Sequence, residues 1–134
     1  MTEIHEQLHP AHWRRPKGYA NGMAAAPGRM LFLAGQVGWN AELRIESDDF
    51  AAQVEQSLRN IATVLAEAGA TPRHLVRLTW FVTDKREYLE NLTRVGSAYL
   101  EVIGRHFPAM SLVQVTALVE DRAKVEIEAT AVIP

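Results

Sequence analysis

The chain has 134 residues, with 14 Lys and Arg against 16 Asp and Glu, and it contains no cysteine. This length suits one domain that buries an ordinary core, and the missing cysteines exclude disulfides, thiol nucleophiles and cysteine-based metal sites. The formal charge of −2 is spread along the chain, so nucleic acid, which needs a basic surface, is not predicted as a partner. The polar N-terminus resembles no secretory signal, and no apolar run reaches the roughly 18 residues of a membrane span. We therefore expect a cytoplasmic protein without a membrane partner.

The first residues differ in character from the rest of the chain. Residues 1–15 are polar and lack a periodic apolar pattern, which predicts an irregular, solvated N-terminal arm before a single domain at residues 16–134. The stretch from Arg14 to Lys17 is the one basic concentration, and such clusters are usually solvated surface.

Three histidines in this arm have the spacing of metal ligands on a helix. His5, His9 and His12 are separated by four and three residues, but Pro10 interrupts a helix and no acidic ligands accompany them. The sequence therefore predicts no metal site.

The first half of the domain contains a predicted hairpin and a predicted helix. Two short apolar segments within residues 18–35 are separated by Pro27 and Gly28, which predicts a β-hairpin. Next, Ser47 is a candidate N-cap and Gly69 a candidate helix end. Between them, apolar residues recur at helical spacing: Phe50, Val54, Leu58, Ile61 and Leu65. The opposite face is predicted to be polar, with Gln53, Glu55, Gln56 and Arg59.

The second half predicts a strand, a helix and two more strands. The segment HLVRLTWFVTD is rich in β-branched and aromatic residues and predicts a central strand with one apolar face: Val76, Leu78, Trp80 and Val82. Asp84 and Glu87 fit a capping box for a helix that ends at Gly104. The last 25 or so residues predict two strands joined as a hairpin near Asp121. The order β-β-α-β-α-β-β predicts an α+β fold with one mixed sheet and two helices on one face.

The other face of this sheet is predicted to meet another subunit. In the last strand the apolar residues alternate with Glu126, Glu128 and Thr130, which point away from the helices. In the preceding strand the corresponding face mixes polar and apolar residues: Leu112, Gln114, Thr116 and Leu118. A mixed face of this kind is typical of a subunit contact, so we expect a homo-oligomer.

Several motifs together resemble the YjgF family, also called the Rid (reactive-intermediate deaminase) family. They are GY before the first strand, AGQ after the second, the helix QVEQSLRNIATVLAEAGA, FVTD, FPAMS and VEIEATAV, in order from about Gly18 to Val132. The resemblance implies a chorismate-mutase-like homotrimer with small-molecule pockets in its intersubunit clefts. It also implies hydrolysis of enamines or imines, such as 2-aminoacrylate, to keto acids and ammonia, without a metal or cofactor.

The resemblance implies that Met110, Ser111, Ala34, Gly35, Gln36 and Gly96 border the substrate. The family motif has an arginine, which holds the substrate carboxylate, where this chain has Met110. A thioether has no donor, so a charge-assisted contact of about 1.5–3 kcal/mol is lost. Ala34 replaces a serine, and Gly96 stands where an asparagine is common. Trp80 is a further candidate for the pocket wall, although a tryptophan in a strand more often packs in a core or an interface.

Two residues match the family's catalytic pattern. Tyr19 corresponds to the pocket tyrosine, and Glu126 corresponds to the first glutamate of the Glu-Ile-Glu motif, which positions or activates water. A carboxylate can take a proton from attacking water and return it to the departing nitrogen. The alternatives are a solvated or salt-bridged strand residue for Glu126 and an interface packing residue for Tyr19.

Two functions remain open at this point. The first is an imine or enamine deaminase with altered substrate preference, for example for a 2-aminomuconate-like compound. In this case Arg14 or Arg15 of the arm, or Lys17 just after it, would cover the cleft. The second is a non-catalytic trimer that binds a less charged metabolite. Ribonuclease activity, ascribed to some relatives, is not favoured by the charge balance.

Overall fold

The computed structural model describes residues 3–134 as a four-stranded sheet with helices on one face and a small additional two-stranded sheet. The strands are β1 (Glu6–Leu8), β2 (Gly22–Ala24), β3 (Arg29–Val37), β4 (Leu75–Val82), β5 (Ala109–Gln114) and β6 (Val125–Ile133), and the helices are α1 (Phe50–Glu67), α2 (Lys85–Glu90) and α3 (Leu92–Val102). The larger sheet has the order β3-β6-β4-β5, with β4 and β5 parallel and the other pairs antiparallel. The predicted α+β fold with a mixed sheet is confirmed.

Both predicted hairpins are wrong. Strand β2 pairs with β1, and β3 pairs with β6, so the turn at Pro27 and Gly28 joins strands of different sheets. Near the C-terminus, β4 lies between β5 and β6. The α2–α3 crossover returns the chain parallel to β4, which places β5 on one side of β4 and leaves the other side to β6. Strand β5 ends at Gln114, before the predicted end of this strand, and Val119 in the following loop is fully exposed.

Two buried histidines attach the N-terminal arm to the domain. His5 is 3 % exposed: its Nε2 donates to the Val132 carbonyl at 2.9 Å, and its Nδ1 accepts from the Ala26 amide at 3.0 Å. The ring of His106 lies between the Leu75 carbonyl, at 2.8 Å, and the Glu3 carboxylate, at 3.0 Å. The prediction of an irregular arm is wrong for Glu6–Leu8, which form β1 and pair with β2, whereas the basic residues from Arg14 to Lys17 are exposed as predicted.

Helix α1 forms the centre of the core. Its predicted apolar residues are all buried against the sheet, and Gly69 follows its end with φ 75°, a left-handed conformation that favours glycine. The N-cap is Asp49, whose carboxylate accepts from the Ala52 amide at 2.9 Å, whereas the hydroxyl of Ser47 accepts from the Asp49 amide. Gln53, predicted to be on the polar face, is buried because its side-chain amide bonds three backbone groups: Ser47 O, Arg122 O and Lys124 N.

The second predicted helix consists of two helices. The segment breaks at Asn91 into α2 and α3. The N-cap of α2 is Asp84, whose carboxylate accepts from the Arg86 amide, two residues on, at 2.9 Å. This hydrogen bond replaces the predicted capping box between Asp84 and Glu87.

In β4, Leu75 is buried in place of the predicted Val76, because the register with β6 shifts between Leu75 and Arg77. Within residues 3–134, no helix is long and apolar enough to cross a lipid bilayer.

Asp49 also joins α1 to α3. The Arg94 guanidinium binds both of its carboxylate oxygens, with Nη1 at 2.9 Å and Nη2 at 2.5 Å. The hydrogen bond from Arg94, followed by that from the Ala52 amide, lowers the pKa of Asp49 from its ordinary 3.8. A carboxyl whose pKa is lowered in the folded state adds stability above its unfolded pKa, and this stability is lost as the pH falls through the folded pKa.

We expect Asp49→Ala to lower the free energy of unfolding by about 1 kcal/mol at neutral pH, because it removes the N-cap. Asp49→Asn is the matched control: asparagine caps well but carries no charge, so its loss should be smaller. The measurement is urea unfolding of the three proteins across acidic pH. The difference between wild type and Asp49→Ala should shrink once the pH falls below 3.8, and a constant difference would contradict this account.

Candidate functional site

A cavity of about 570 Å³ opens between α3, β5 and the segment that precedes β2. Its size lies in the range of sites that bind small molecules. Aromatic and aliphatic side chains form most of its wall. The lining residues are Lys17, Gly18, Tyr19, Trp80, Tyr88, Leu92, Val95, Gly96, Tyr99, Leu100, Arg105, Phe107, Met110 and Leu112.

The fold brings the lining residues together from distant parts of the chain. The Ala20 amide donates to the Pro108 carbonyl at 3.0 Å, and this bond holds Tyr19 beside the start of β5. Met110 and Leu112 lie opposite Leu78 and Trp80 of β4, so they face the helices. Their side chains therefore form the floor of the cavity.

Three aromatic rings lie in a row along one wall. The ring of Tyr99 stacks on Trp80 at 6.5 Å and on Phe107 at 5.3 Å, measured between ring centroids. Its hydroxyl donates to the His106 carbonyl at 2.6 Å. Burial raises the pKa of Tyr99 and that of Tyr88, so both phenols stay neutral at physiological pH. The wall thus offers apolar surface without negative charge.

Two charged residues of the described part of the chain line the cavity, and both are cationic. Lys17 and Arg105 are exposed, and neither side chain makes an ion pair or a hydrogen bond with any residue between 3 and 134. Of the other two arm cations proposed to cover the cleft, Arg15 lines a smaller neighbouring cavity that shares Tyr19, whereas Arg14 lines neither of these cavities.

Glu126 lies on the opposite face of the sheet. It is paired with Phe81 of β4 and Val37 of β3, and the buried neighbours Val125 and Ile127 point toward the helices. A Cβ atom at Gly35 would overlap the Glu126 carboxylate. The missing side chain at Gly35 is therefore what allows this carboxylate to lie across the irregular part of β3.

All predicted site residues except Gln36 fall into two groups separated by the sheet. Tyr19, Trp80, Gly96 and Met110 line the cavity. The second group is on or near the open face: Ala34, Gly35, Ser111 and Glu126. Gln36 lies opposite the helix-facing Ile127 and does not line the cavity. Ser111 lies opposite Thr79 and is exposed, and the Gln36 amide donates to the Ala34 carbonyl at 3.3 Å. A single chain does not bring the two predicted catalytic residues, Tyr19 and Glu126, into one site.

Several lining residues were missed from the sequence. Tyr88, Leu92, Val95 and Tyr99 recur at helical spacing in the second predicted helix, a pattern that by itself indicates only a core face. Leu112 is predicted on the open face of the sheet, but it faces the helices. Phe107 and Arg105 had a sequence signal, because Phe107 begins the FPAMS motif that contains Met110 and Arg105 lies two residues before Phe107. Among residues 3–134, no three His, Asp or Glu side chains are grouped as a metal site would require.

The geometry defines a class of protein: a two-layer α+β fold with a cavity of about 570 Å³ under α3 and the Glu126 carboxylate on the uncovered face of the sheet. Residues 11–133 match the family model described as Endoribonuclease L-PSP. The chain belongs to this family, the YjgF/Rid family, as its motifs indicated.

Similar proteins and solved structures agree with this assignment. The chain is 39 % identical to Protein DfrA of Myxococcus xanthus over 119 residues, which are 85 % of this chain and 84 % of DfrA. It is 36 % identical to the 2-iminobutanoate/2-iminopropanoate deaminase of Escherichia coli K12, over 78 % of this chain and 80 % of that protein. The crystal structure of YyfB from Yersinia pestis, of the conserved Rid family, superposes with a TM-score of 0.86 at 32 % identity, covering 97 % of this chain and 99 % of YyfB.

Proposed function

We propose that this protein is an imine or enamine deaminase with altered substrate preference. The observation that carries the proposal is the Glu126 carboxylate, held across Gly35 on the uncovered face of the sheet. A general base in such a position can activate water for attack on a C=N carbon. The similarity to an Escherichia coli protein named as a 2-iminobutanoate/2-iminopropanoate deaminase supports this class of reaction.

The active site is proposed to form between two copies of the chain, as part of a homotrimer. Because the sheet separates Glu126 from the cavity, one subunit would supply the cavity and a neighbour would supply Glu126. The open face carries apolar side chains suited to such a contact: Phe32 is 74 % exposed, Val113 is 45 % exposed and Phe81 is half-buried.

The proposed reaction needs one water and one proton relay. Glu126 takes a proton from water as the oxygen attacks the carbon of the protonated imine, and a neutral amino alcohol forms. The protonated carboxyl then returns this proton to the nitrogen, and the C–N bond breaks as ammonia leaves. The hydroxyl group gives its own proton to the Glu126 carboxylate, which leaves a carbonyl compound, and solvent takes up this proton. Tyr19, at the mouth of the cavity, is proposed to position the substrate through its hydroxyl, because its side chain is 44 % exposed and remains accessible.

The first test is hydrolysis of freshly generated imines. An amino-acid oxidase converts alanine to its imine in the presence of semicarbazide, which traps the imine in competition with water. Adding the protein should lower semicarbazone formation and raise the rate of ammonia and pyruvate release above the spontaneous rate. 2-Aminoacrylate and 2-aminomuconate are the enamines to compare in the same assay. No acceleration with any of these compounds would contradict the proposal.

The second candidate function is non-catalytic binding of a small metabolite. It is favoured by Met110, Gly96 and Ala34, which offer no side-chain hydrogen-bond donor where relatives carry an arginine, an asparagine and a serine. Saturable ligand binding without any release of ammonia would support this function over deamination. The family model carries an endoribonuclease description, but a net charge of −2 without a basic stripe gives no support for RNA binding.

Gly35→Ala is expected to lower kcat by about 100-fold, because the added methyl group displaces the Glu126 carboxylate and small misplacements of catalytic groups have effects of this size. The measurement is steady-state hydrolysis of the best imine.

Gly22→Ala in β2 is the matched control, because Gly22 does not line the cavity and its Cβ would meet the Leu8 side chain at 3.4 Å, an ordinary van der Waals contact. This variant should fold like wild type and should keep most of the activity. Equal activities of the two variants would contradict the role assigned to the Glu126 position.

A further inference from the structure

We propose that the cavity selects 2-imino acids with a large apolar or aromatic side chain, and that Arg105 and Lys17 hold the substrate carboxylate. This inference rests on the proposed deaminase function and specifies its substrate class and specificity-determining residues.

The interior of the cavity favours an apolar side chain. Trp80, Tyr99 and Phe107 form a continuous aromatic wall, with Met110 and Leu112 on the floor. The volume of about 570 Å³ greatly exceeds what the methyl group of a three-carbon imino acid would fill. An aromatic or branched side chain would bury its apolar surface there, which is the main source of binding free energy for such groups.

The rim of the cavity favours one anionic group. Among residues 3–134, Arg105 and Lys17 are the two charged residues that line it, and no acidic residue of this range does. The guanidinium can bind a carboxylate with two parallel hydrogen bonds, and the ammonium adds a point charge. Because both side chains lack a partner within residues 3–134, substrate binding would break no existing ion pair.

Binding of the substrate carboxylate at the rim also places the imine carbon at the mouth of the cavity. In a 2-imino acid the carboxylate is bonded directly to the imine carbon, so a carboxylate at the rim keeps the C=N group at the mouth while the side chain enters the cavity. A carboxylate supplied by another subunit can approach at the mouth. A dicarboxylate such as 2-aminomuconate would instead place a second charge against the apolar floor at Met110, where no cation compensates for its desolvation.

The test measures ligand binding and turnover separately. Phenylpyruvate is the stable keto acid with the same carboxylate and aromatic side chain, and its binding is measured by calorimetry beside that of pyruvate and of phenylacetone, which lacks the carboxylate. Turnover is measured with the imines of phenylalanine and alanine. The variants are Arg105→Gln and Lys17→Gln, with Arg44→Gln as the control, since Arg44 is exposed and does not line the cavity.

We expect phenylpyruvate to bind at least tenfold more tightly than pyruvate. Arg105→Gln should weaken phenylpyruvate binding at least tenfold and Lys17→Gln severalfold, whereas phenylacetone binding should change little in either variant. In turnover, Arg105→Gln should raise KM more than it lowers kcat. The Arg44→Gln protein should behave as wild type in every measurement.

The outcomes separate the substrate class from the catalytic function. Arg105-dependent binding of phenylpyruvate without imine turnover would support the ligand class while contradicting deamination. Turnover of the alanine imine, combined with equal affinity for pyruvate and phenylpyruvate, would overturn this inference and leave deamination standing. Phenylpyruvate affinity that is unchanged in both Arg105→Gln and Lys17→Gln would overturn the assigned carboxylate anchor.

Discussion

Replacing Glu126 by glutamine is expected to lower kcat for imine hydrolysis by about 100-fold or more, the usual contribution of a general acid–base residue. Glutamine has nearly the same shape, so it still fits across Gly35, but its amide cannot accept a proton from water at neutral pH. KM should change much less than kcat, because in the proposed site Glu126 acts on the water and the substrate carboxylate is held elsewhere. Steady-state kinetics with the phenylalanine and alanine imines give both constants.

A matched variant separates this chemical role from a general effect of charge on the sheet. Glu128 lies on the same face two residues further along β6, opposite Thr79, and it is exposed. Glu128→Gln removes the same charge and should keep most of the wild-type kcat. Thermal unfolding of both variants should match wild type. If Glu126→Gln stays as active as Glu128→Gln, the base must be another group.

Mixing two inactive variants is expected to restore activity. Gly96→Trp fills the cavity with an indole, since the space at Gly96 is open, and leaves Glu126 intact. Glu126→Gln leaves the cavity intact. If each site takes its cavity from one chain and its carboxylate from a neighbour, an equal mixture of chains should recover roughly one quarter of the wild-type activity, because each half is chosen independently.

The control for this experiment is subunit exchange itself. Two purified homo-oligomers mixed without exchange should stay inactive, whereas coexpression of differently tagged chains, followed by purification through both tags, should yield the active mixed species. A double variant carrying both substitutions in every chain should be inactive. Absence of recovery in verified mixed oligomers would show that the site does not combine a cavity from one chain with Glu126 from another.

The family and most of the helix and strand positions followed from the sequence. The five apolar residues of α1 recur at helical spacing and are all buried, and the alternation along β6 correctly separated its helix-facing residues from Glu126 and Glu128. Such periodicities report which side of an element is buried, because hydrophobic burial acts on each residue of that element directly. The motifs around Met110 and Glu126 then identified the family.

The sequence did not determine strand partners. Strand pairing depends on which segments meet after the helices have packed, so adjacency along the chain was misleading for both predicted hairpins. The burial of Gln53 also depended on contacts far along the chain, since two of its three backbone partners belong to residues 122 and 124. A glutamine is predicted to be exposed unless such partners are known.

The sequence by itself determined the family, the fold class and the residue types available for chemistry. Only the tertiary structure decided which of these residues share a site: Tyr19 and Met110 line one cavity, and Glu126 lies on the other face of the sheet. The same holds for Lys17 and Arg105, which are far apart in sequence and line one cavity. The physical reason is that periodicity fixes the direction of a side chain relative to its own element, whereas a binding site depends on how distant elements pack together.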